Sequence, residues 1–282
     1  MSSINTLNKK NISKKIIVFV HIQKTAGTTF KWILRNNFGL SHCDSAMTKT
    51  SLFNQERLNF AKLVFPALKS IAGHNLKEPT KHLTQNNLLF VTFLRDPVKR
   101  VISHHQDSIL RQGVDRSTTI KEALEHGEIS EHLNNWSTKM IAGEANFEKA
   151  KNLLIKKYSL VGLTQHFDKS VEMFEKISPY KVNINYTKRI VARKNHIKNK
   201  ILNDKQKIAT IKKHNREDIK LYNYVKNELF PQYIEKYGDN RIEPENNNDV
   251  YNSRNQPCYL RSKFYNKYFY RQIMKIRRKF IL

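Results

Sequence analysis

The stretch that most constrains this chain is residues 16–37, IIVFVHIQKTAGTTFKWILRNN. Ile16 to Val20 is an apolar, largely β-branched run unbroken by charge, the pattern of a strand covered on both faces in a parallel sheet. A short turn follows at Gln23-Lys24-Thr25-Ala26-Gly27. Beyond it Phe30, Ile33 and Leu34 recur at helical spacing, and Asn37 and Gly39 supply stop signals. Strand, Gly-containing turn and helix make the geometry that binds phosphate. Unpaired N–H groups at the helix start point at the anion, and the helix dipole favours negative charge there. Lys24 adds a cation, and Thr25, Thr28 and Thr29 add hydroxyl donors. The plain alternative is an ordinary strand–helix connection in which Thr caps the helix. The stretch is not a Walker A loop, which needs G-x-x-x-x-G-K-[ST]; here Lys24 precedes the only Gly.

A second buried strand is expected at Leu88 to Leu94, LLFVTFL, ended by Arg95-Asp96-Pro97. Pro97 suits the first turn of a helix and Asp96 its N-cap; that helix carries Val98, Val101 and Ile102 and reaches about Leu110. Arg95 emerges at the carboxyl end of its strand, where open α/β sheets bind ligands, although a salt-bridged strand end is the simpler reading. A short strand is expected at Ser70-Ile71-Ala72, leading into Gly73-His74-Asn75. Buried strands alternating with helical patterns point to an α/β fold.

HIQKTAGTTF resembles the 5′-phosphosulfate loop of sulfotransferases, in particular that of the heparan-sulfate 6-O-sulfotransferase group and related glycan sulfotransferases. FLRDPVKRVISHHQ is similar to the family's 3′-phosphate site, and IAGHNL to its Gly-His segment. LVGLTQHFDKSVEMFEKI and NREDIKLYNYVKNELF resemble later segments, so the resemblance runs in patches from about Ile16 to Tyr237. Gln165 departs from the family, which often has Glu there. The resemblance implies a P-loop-containing nucleoside triphosphate hydrolase-like fold, with a central parallel sheet flanked by helices. It implies an enzyme that moves a sulfuryl group from 3′-phosphoadenosine-5′-phosphosulfate (PAPS) to a hydroxyl of a carbohydrate or glycolipid acceptor, with no metal. By the same carry-over Lys24, Thr25, Ala26, Gly27, Thr28 and Thr29 hold the 5′-phosphosulfate, and Arg95 and Ser103 hold the 3′-phosphate. His74 is the general base and Lys24 stabilises the leaving phosphate. Asn134 to Gly143 resembles a segment near nucleotide and acceptor, although Trp136 also reads as core. His21 reads as structural, orienting the turn; His104 and His105 follow Ser103 with no assigned role.

Composition narrows the partners. The 51 Lys and Arg against 24 Asp and Glu give a formal charge of +27. That implies an anionic partner without choosing among nucleotide, acidic glycan, nucleic acid and membrane surface. Cys43 and Cys258 make neither a metal-ligand spacing nor a disulfide framework, and they suit a reducing cytosol. The run Ile16 to Val20 is too short for a signal peptide or a membrane span of about 20 residues. Animal members of the resembled family carry an N-terminal membrane anchor, for which this sequence has no room, so the expectation is a bacterial-type cytoplasmic form, either free or in peripheral contact with the inner face of the membrane through 259–282.

The expected organisation is a disordered basic lead at 1–15, a sulfotransferase domain at 16–238, a polar linker at 239–256 and a basic aromatic tail at 257–282. Within the domain, residues 40–51 read as irregular and 53–68 as a helix ended by Pro66. Residues 117–143 read as two short helices, the first capped by Thr118 or Thr119 and ended by Gly127. A helix at 147–158 precedes a strand at 159–163 and a helix capped by Thr164. The resemblance implies that the basic run 180–200 lies in a loop region that closes over the nucleotide; read from its residues alone it is a solvated face. A helix at 204–213 leads to a long one from its cap Asn215 to Tyr237. In the tail, Phe269, Ile273, Ile276 and Phe280 recur at helical spacing. Such a helix either lies on an anionic membrane surface or packs on the body. Two rival functions share parts of this pattern. An ATP-dependent kinase of related fold lacks its Walker A order here. A nucleic-acid-binding protein would concentrate basic charge with stacking aromatics, whereas this charge is spread along the chain, so no nucleic acid is expected.

Overall fold

The computed structural model describes residues 15–45, 52–65, 67–126, 129–186, 196–238 and 257–274. The expected lead (residues 1–14), the linker 239–256, the basic run 187–195, Pro66, Gly127 and the tail's Ile276 and Phe280 lie outside the described residues.

Five strands form one parallel sheet: β1 (Ile16–Val20), β2 (His42–Asp44), β3 (Ser70–Gly73), β4 (Leu88–Leu94) and β5 (Tyr158–Leu163). Their order is β2-β3-β1-β4-β5, so β1 is central. Every residue of β1 and β4 is buried, which is why both read as unbroken apolar runs rather than alternating ones. The edge strand β2, His42-Cys43-Asp44, falls in the stretch expected to be irregular. Three residues, two of them polar, carry no period that a sequence reading can detect.

The helices are α1 (Gly27–Phe38), α2 (Gln55–Val64), α3 (Pro79–His82), α4 (Pro97–Arg111), α5 (Ile120–Glu125), α6 (Ser130–Leu133) and α7 (Trp136–Ala142). They continue with α8 (Phe147–Lys157), α9 (Phe167–Ile177), α10 (His196–Leu202), α11 (Lys205–His214), α12 (Arg216–Tyr224), α13 (Phe230–Tyr237) and α14 (Pro257–Phe264). Several start or stop for local reasons. Gly39 ends α1 with φ 50°, Asp96 accepts from the Lys99 N–H at the start of α4, and Thr119 and Glu122 form a capping box on α5.

Some expectations are corrected. Residues 117–143 hold three helices among those described, not two. Thr164 does not cap a helix; its hydroxyl donates to the Leu94 carbonyl at 3.0 Å, tying β5 to β4, and a 3₁₀ turn precedes α9. Asn215 stands before α12, but its side chain accepts from the Asn135 N–H and donates to the Ile211 carbonyl. The long helix to Tyr237 contains a π turn at Val225–Leu229. Pro231 lies just beyond it. A proline lacks the N–H for the regular ladder and crowds the carbonyl four residues back, and a π turn relieves both.

The main core joins the sheet to α1, α7, α8, α9 and α12. A smaller core of Val101, Ile102, Ile120, Leu124, Leu133, Ile201 and Ile211 sits between α4, α5, α6, α10 and α11. Residues 257–274 pack on the body through Ser262, Asn266, Tyr270 and Met274, whereas Phe269 is exposed. Among the described residues no helix is long and apolar enough to cross a membrane.

Candidate active site

The parallel register brings three strand ends together. Val20 pairs with Gly73 on one side and Thr92 on the other, so the residues that follow β3, β1 and β4 emerge side by side at the carboxyl edge. These are His74, the loop from His21 to Ala26, and Arg95. The carboxyl edge of an open α/β sheet is where ligands bind.

The loop holds an uncommon backbone. Lys24 (φ 67°) and Ala26 (φ 63°) are both left-handed without being glycine. Such residues cost about 1–3 kcal/mol and persist where the surroundings fix them. Three contacts do so here. The Thr25 hydroxyl donates to the Ile22 carbonyl at 2.8 Å, the Thr29 N–H donates to the Ala26 carbonyl at 3.0 Å, and Arg95 Nη1 donates to the Lys24 carbonyl at 3.0 Å. Gly27 is needed for close approach: a Cβ there would lie 2.0 Å from His21 Cδ2. The His21 ring thus slots beneath the start of α1, stacked on Phe19 and 4.0 Å from the His74 ring. Thr28 is exposed on the first turn of α1, while Thr25 and Thr29 are buried.

His74 Nδ1 lies 2.6 Å from the His21 carbonyl oxygen. A carbonyl only accepts, so Nδ1 carries the proton and Nε2 keeps its lone pair. Burial pushes His74 down to about 4, although the bond to His21 pulls the other way, so the ring is neutral at pH 7.

The opposite wall is α4. Lys24 Nζ pairs with Asp107 Oδ1 at 3.2 Å, which turns the Asp107 face of the helix toward the loop. Ser103 lies one turn earlier on that face, since residues four apart are neighbours on a helix. His104 is buried beside them, with both ring nitrogens lacking a hydrogen-bond partner. Burial lowers it to about 3, reinforced by Arg100, His132 and Lys24. The Trp136 indole N–H donates to the Gln23 side chain, and the Lys77 ammonium lies over the indole ring at 5.6 Å. Trp136 is itself buried in the main core.

A family model for sulfotransferases matches residues 12–225, which span the loop, His74, Arg95 and Ser103. The chain belongs to the sulfotransferase family. No curated protein matches it. Sulfotransferases have a P-loop-like fold, and the five-stranded parallel sheet flanked by helices accords with it.

Several residues that shape the site of this sulfotransferase were not singled out in the sequence. Asp107, the partner of Lys24, was open to detection as the residue one turn beyond Ser103. Asp218 was not. It is fully buried, and its carboxylate accepts from the Ser137 and Thr138 N–H groups at 2.9 and 2.8 Å, capping α7 from 80 residues away. In return Asn135 Oδ1 accepts from the Glu217 and Asp218 N–H groups, capping α12. Arg100, also fully buried, donates to the His132 and Leu133 carbonyls and lies 3.9 Å from Asp218. This lattice fixes His132 and Trp136 against the loop. Asp44 draws Lys31 and Arg35 toward β2. Burial alone would raise its carboxyl; Lys31, His42 and Arg35 outweigh that and hold it well below the usual carboxylate range.

Proposed function

We propose that this sulfotransferase takes its sulfuryl group from PAPS and transfers it to a hydroxyl of a carbohydrate acceptor: a glycan, a polysaccharide or a glycolipid. The observation that carries the reading is the convergence of the Lys24 loop, His74 and Arg95 on one sheet edge. The residues present suit the donor. The loop opens at the start of a helix, a ready anion site, with cationic Lys24 and Arg95 beside it. Two buried ring nitrogens of His104 stand without partners nearby. Lys24 and the residues Thr25 to Thr29 would hold the 5′-phosphosulfate, and Arg95 with Ser103 the 3′-phosphate.

Bound PAPS supplies the sulfuryl group and departs as adenosine 3′,5′-bisphosphate. His74 Nε2 takes the proton of the acceptor hydroxyl, while the bond from Nδ1 to the His21 carbonyl keeps the ring in the required tautomer. General-base catalysis of this kind is typically worth about 10²–10⁴ in rate. Lys24 balances charge as it grows on the bridging oxygen. A preorganised donor in that role is worth about 10²–10³. An anion in the loop competes with Asp107 for Lys24, so the ion pair holds the ammonium in place until the donor arrives. A formal charge of +27 suits an acidic glycan. The unpaired thiols Cys43 and Cys258 suit a reducing compartment, the cytoplasm.

A thermal-shift titration with adenosine 3′,5′-bisphosphate, ATP and AMP tests the donor. At ~100 times its dissociation constant a ligand stabilises by about 2.7 kcal/mol. Stabilisation by the bisphosphate, and little by ATP or AMP, is expected; equal stabilisation by ATP overturns the reading. Incorporation of labelled sulfate from PAPS into polysaccharides, and not into small phenols or amines, is expected for the acceptor.

A further inference from the structure

Residues 257–274 form a helical segment, α14 followed by a π turn at Tyr265–Tyr270, that carries aromatic groups on both its faces. The face turned to the body is Ser262, Asn266, Tyr270 and Met274, four residues apart and half polar. It is held by specific bonds. Asn266 Oδ1 accepts from the Asp44 N–H at 2.7 Å, and its Nδ2 donates to the His42 carbonyl at 2.9 Å. One amide thereby satisfies the open backbone groups of the edge strand β2. Tyr265 donates to the Val64 carbonyl at 2.7 Å, and Tyr270 packs edge-on to Phe65.

The outward face carries a second set of apolar groups. Leu260, Phe264, Tyr268 and Phe269 are 47%, 65%, 51% and 48% exposed. A helix on a protein surface ordinarily turns its apolar stripe inward and its polar one outward. Here Tyr259, Tyr265, Tyr270 and Met274 already fill the inward side, together with the Asn266 bonds, and a second stripe of Leu260, Phe264, Tyr268 and Phe269 stays in solvent. Arg261, Lys263, Lys267 and Arg271 are exposed around it, and Lys267 lies over the Tyr268 ring at 4.8 Å. From Pro257 to Leu282 the sequence has eight Lys or Arg and no Asp or Glu.

We propose that the outward face of residues 257–274 is a docking surface for an anionic lipid bilayer. Its rings enter the boundary between headgroups and acyl chains, and its basic rim meets the lipid phosphates. Charge decides the partner, because an acid-free rim gains nothing from a zwitterionic surface. The surface lies beyond the family match, which ends at Val225.

Co-sedimentation of the full chain with phosphatidylcholine vesicles, with and without phosphatidylglycerol, tests this. Binding only to the anionic vesicles, weakened by salt, is expected. Lys263→Gln with Lys267→Gln should weaken it about 30-fold, each basic group near such a surface being worth roughly a factor of five. Phe264→Ser with Tyr268→Ser should weaken it at least ~10-fold, with the melting temperature unchanged because both side chains are exposed. No binding to anionic vesicles, equal binding to both kinds, or binding indifferent to the aromatic pair would each overturn the proposal. So would an oligonucleotide that displaces the vesicles and whose own binding needs the same rings.

Discussion

At the scale of single residues, the site works through which atoms are left available. His74 has one ring nitrogen committed to the His21 carbonyl and the other uncommitted. His74→Ala should therefore cut turnover by about 10²–10⁴ while leaving adenosine 3′,5′-bisphosphate binding intact. Lys24→Ala should cut turnover by at least ~10² and weaken the bisphosphate as well. Isothermal titration beside single-turnover kinetics separates the two. Loss of bisphosphate affinity in a folded His74→Ala protein would remove His74 from the base role. The residue types and their order were legible: the loop lysine, the strand-end Arg95 and the Gly-His pair each follow a recognisable strand. The tautomer was not. It depends on a carbonyl 53 residues away, and no local pattern records which backbone oxygen a side chain will meet.

At the scale of elements, long covered strands announced themselves and short borrowed ones did not. β1 and β4 are apolar along their whole length because both faces are packed, a property of each segment alone. β2 is a strand only because β3 lies on one side and Asn266 closes the other, 222 residues beyond Asp44. Asn266→Ala should leave the Asp44 N–H and the His42 carbonyl unpaired in a buried place. The expected cost is about 1–3 kcal/mol, read as a fall in midpoint by chemical denaturation. Lys267→Ala, one residue on and exposed, should stay within about 0.5 kcal/mol. Equal effects from the two would show that the amide bonds carry no stability. The reciprocal caps between α7 and α12 belong to the same class. Asn135 and Asp218 each cap the other's helix, and neither helix shows its cap in its own sequence.

At the scale of the whole molecule, buried histidines couple folding to pH. Burial lowers His21, His42, His74 and His104 below their ordinary value, to about 4 for His74 and about 3 for His104. An unfolded histidine takes up a proton near ~6.5, whereas the folded rings refuse it until far lower pH. Stability is thus full above that value and falls as pH drops through it. His74 alone accounts for about 2 kcal/mol between pH 7 and 5. The melting temperature should fall by at least about 4–8 °C over that interval, and less steeply in His74→Gln. A flat profile would mean that these rings are solvated in the folded chain. The sequence by itself determined the α/β class, the central strands, the phosphate-loop pattern and the basic charge, because these are carried by apolar period and residue type along short segments. The tertiary structure alone decided the edge strand, the two exchanged caps, the Lys24–Asp107 pair and the outward turn of the tail's second aromatic stripe. Each depends on hydrogen-bonding groups far apart in the chain that meet only once the core has formed.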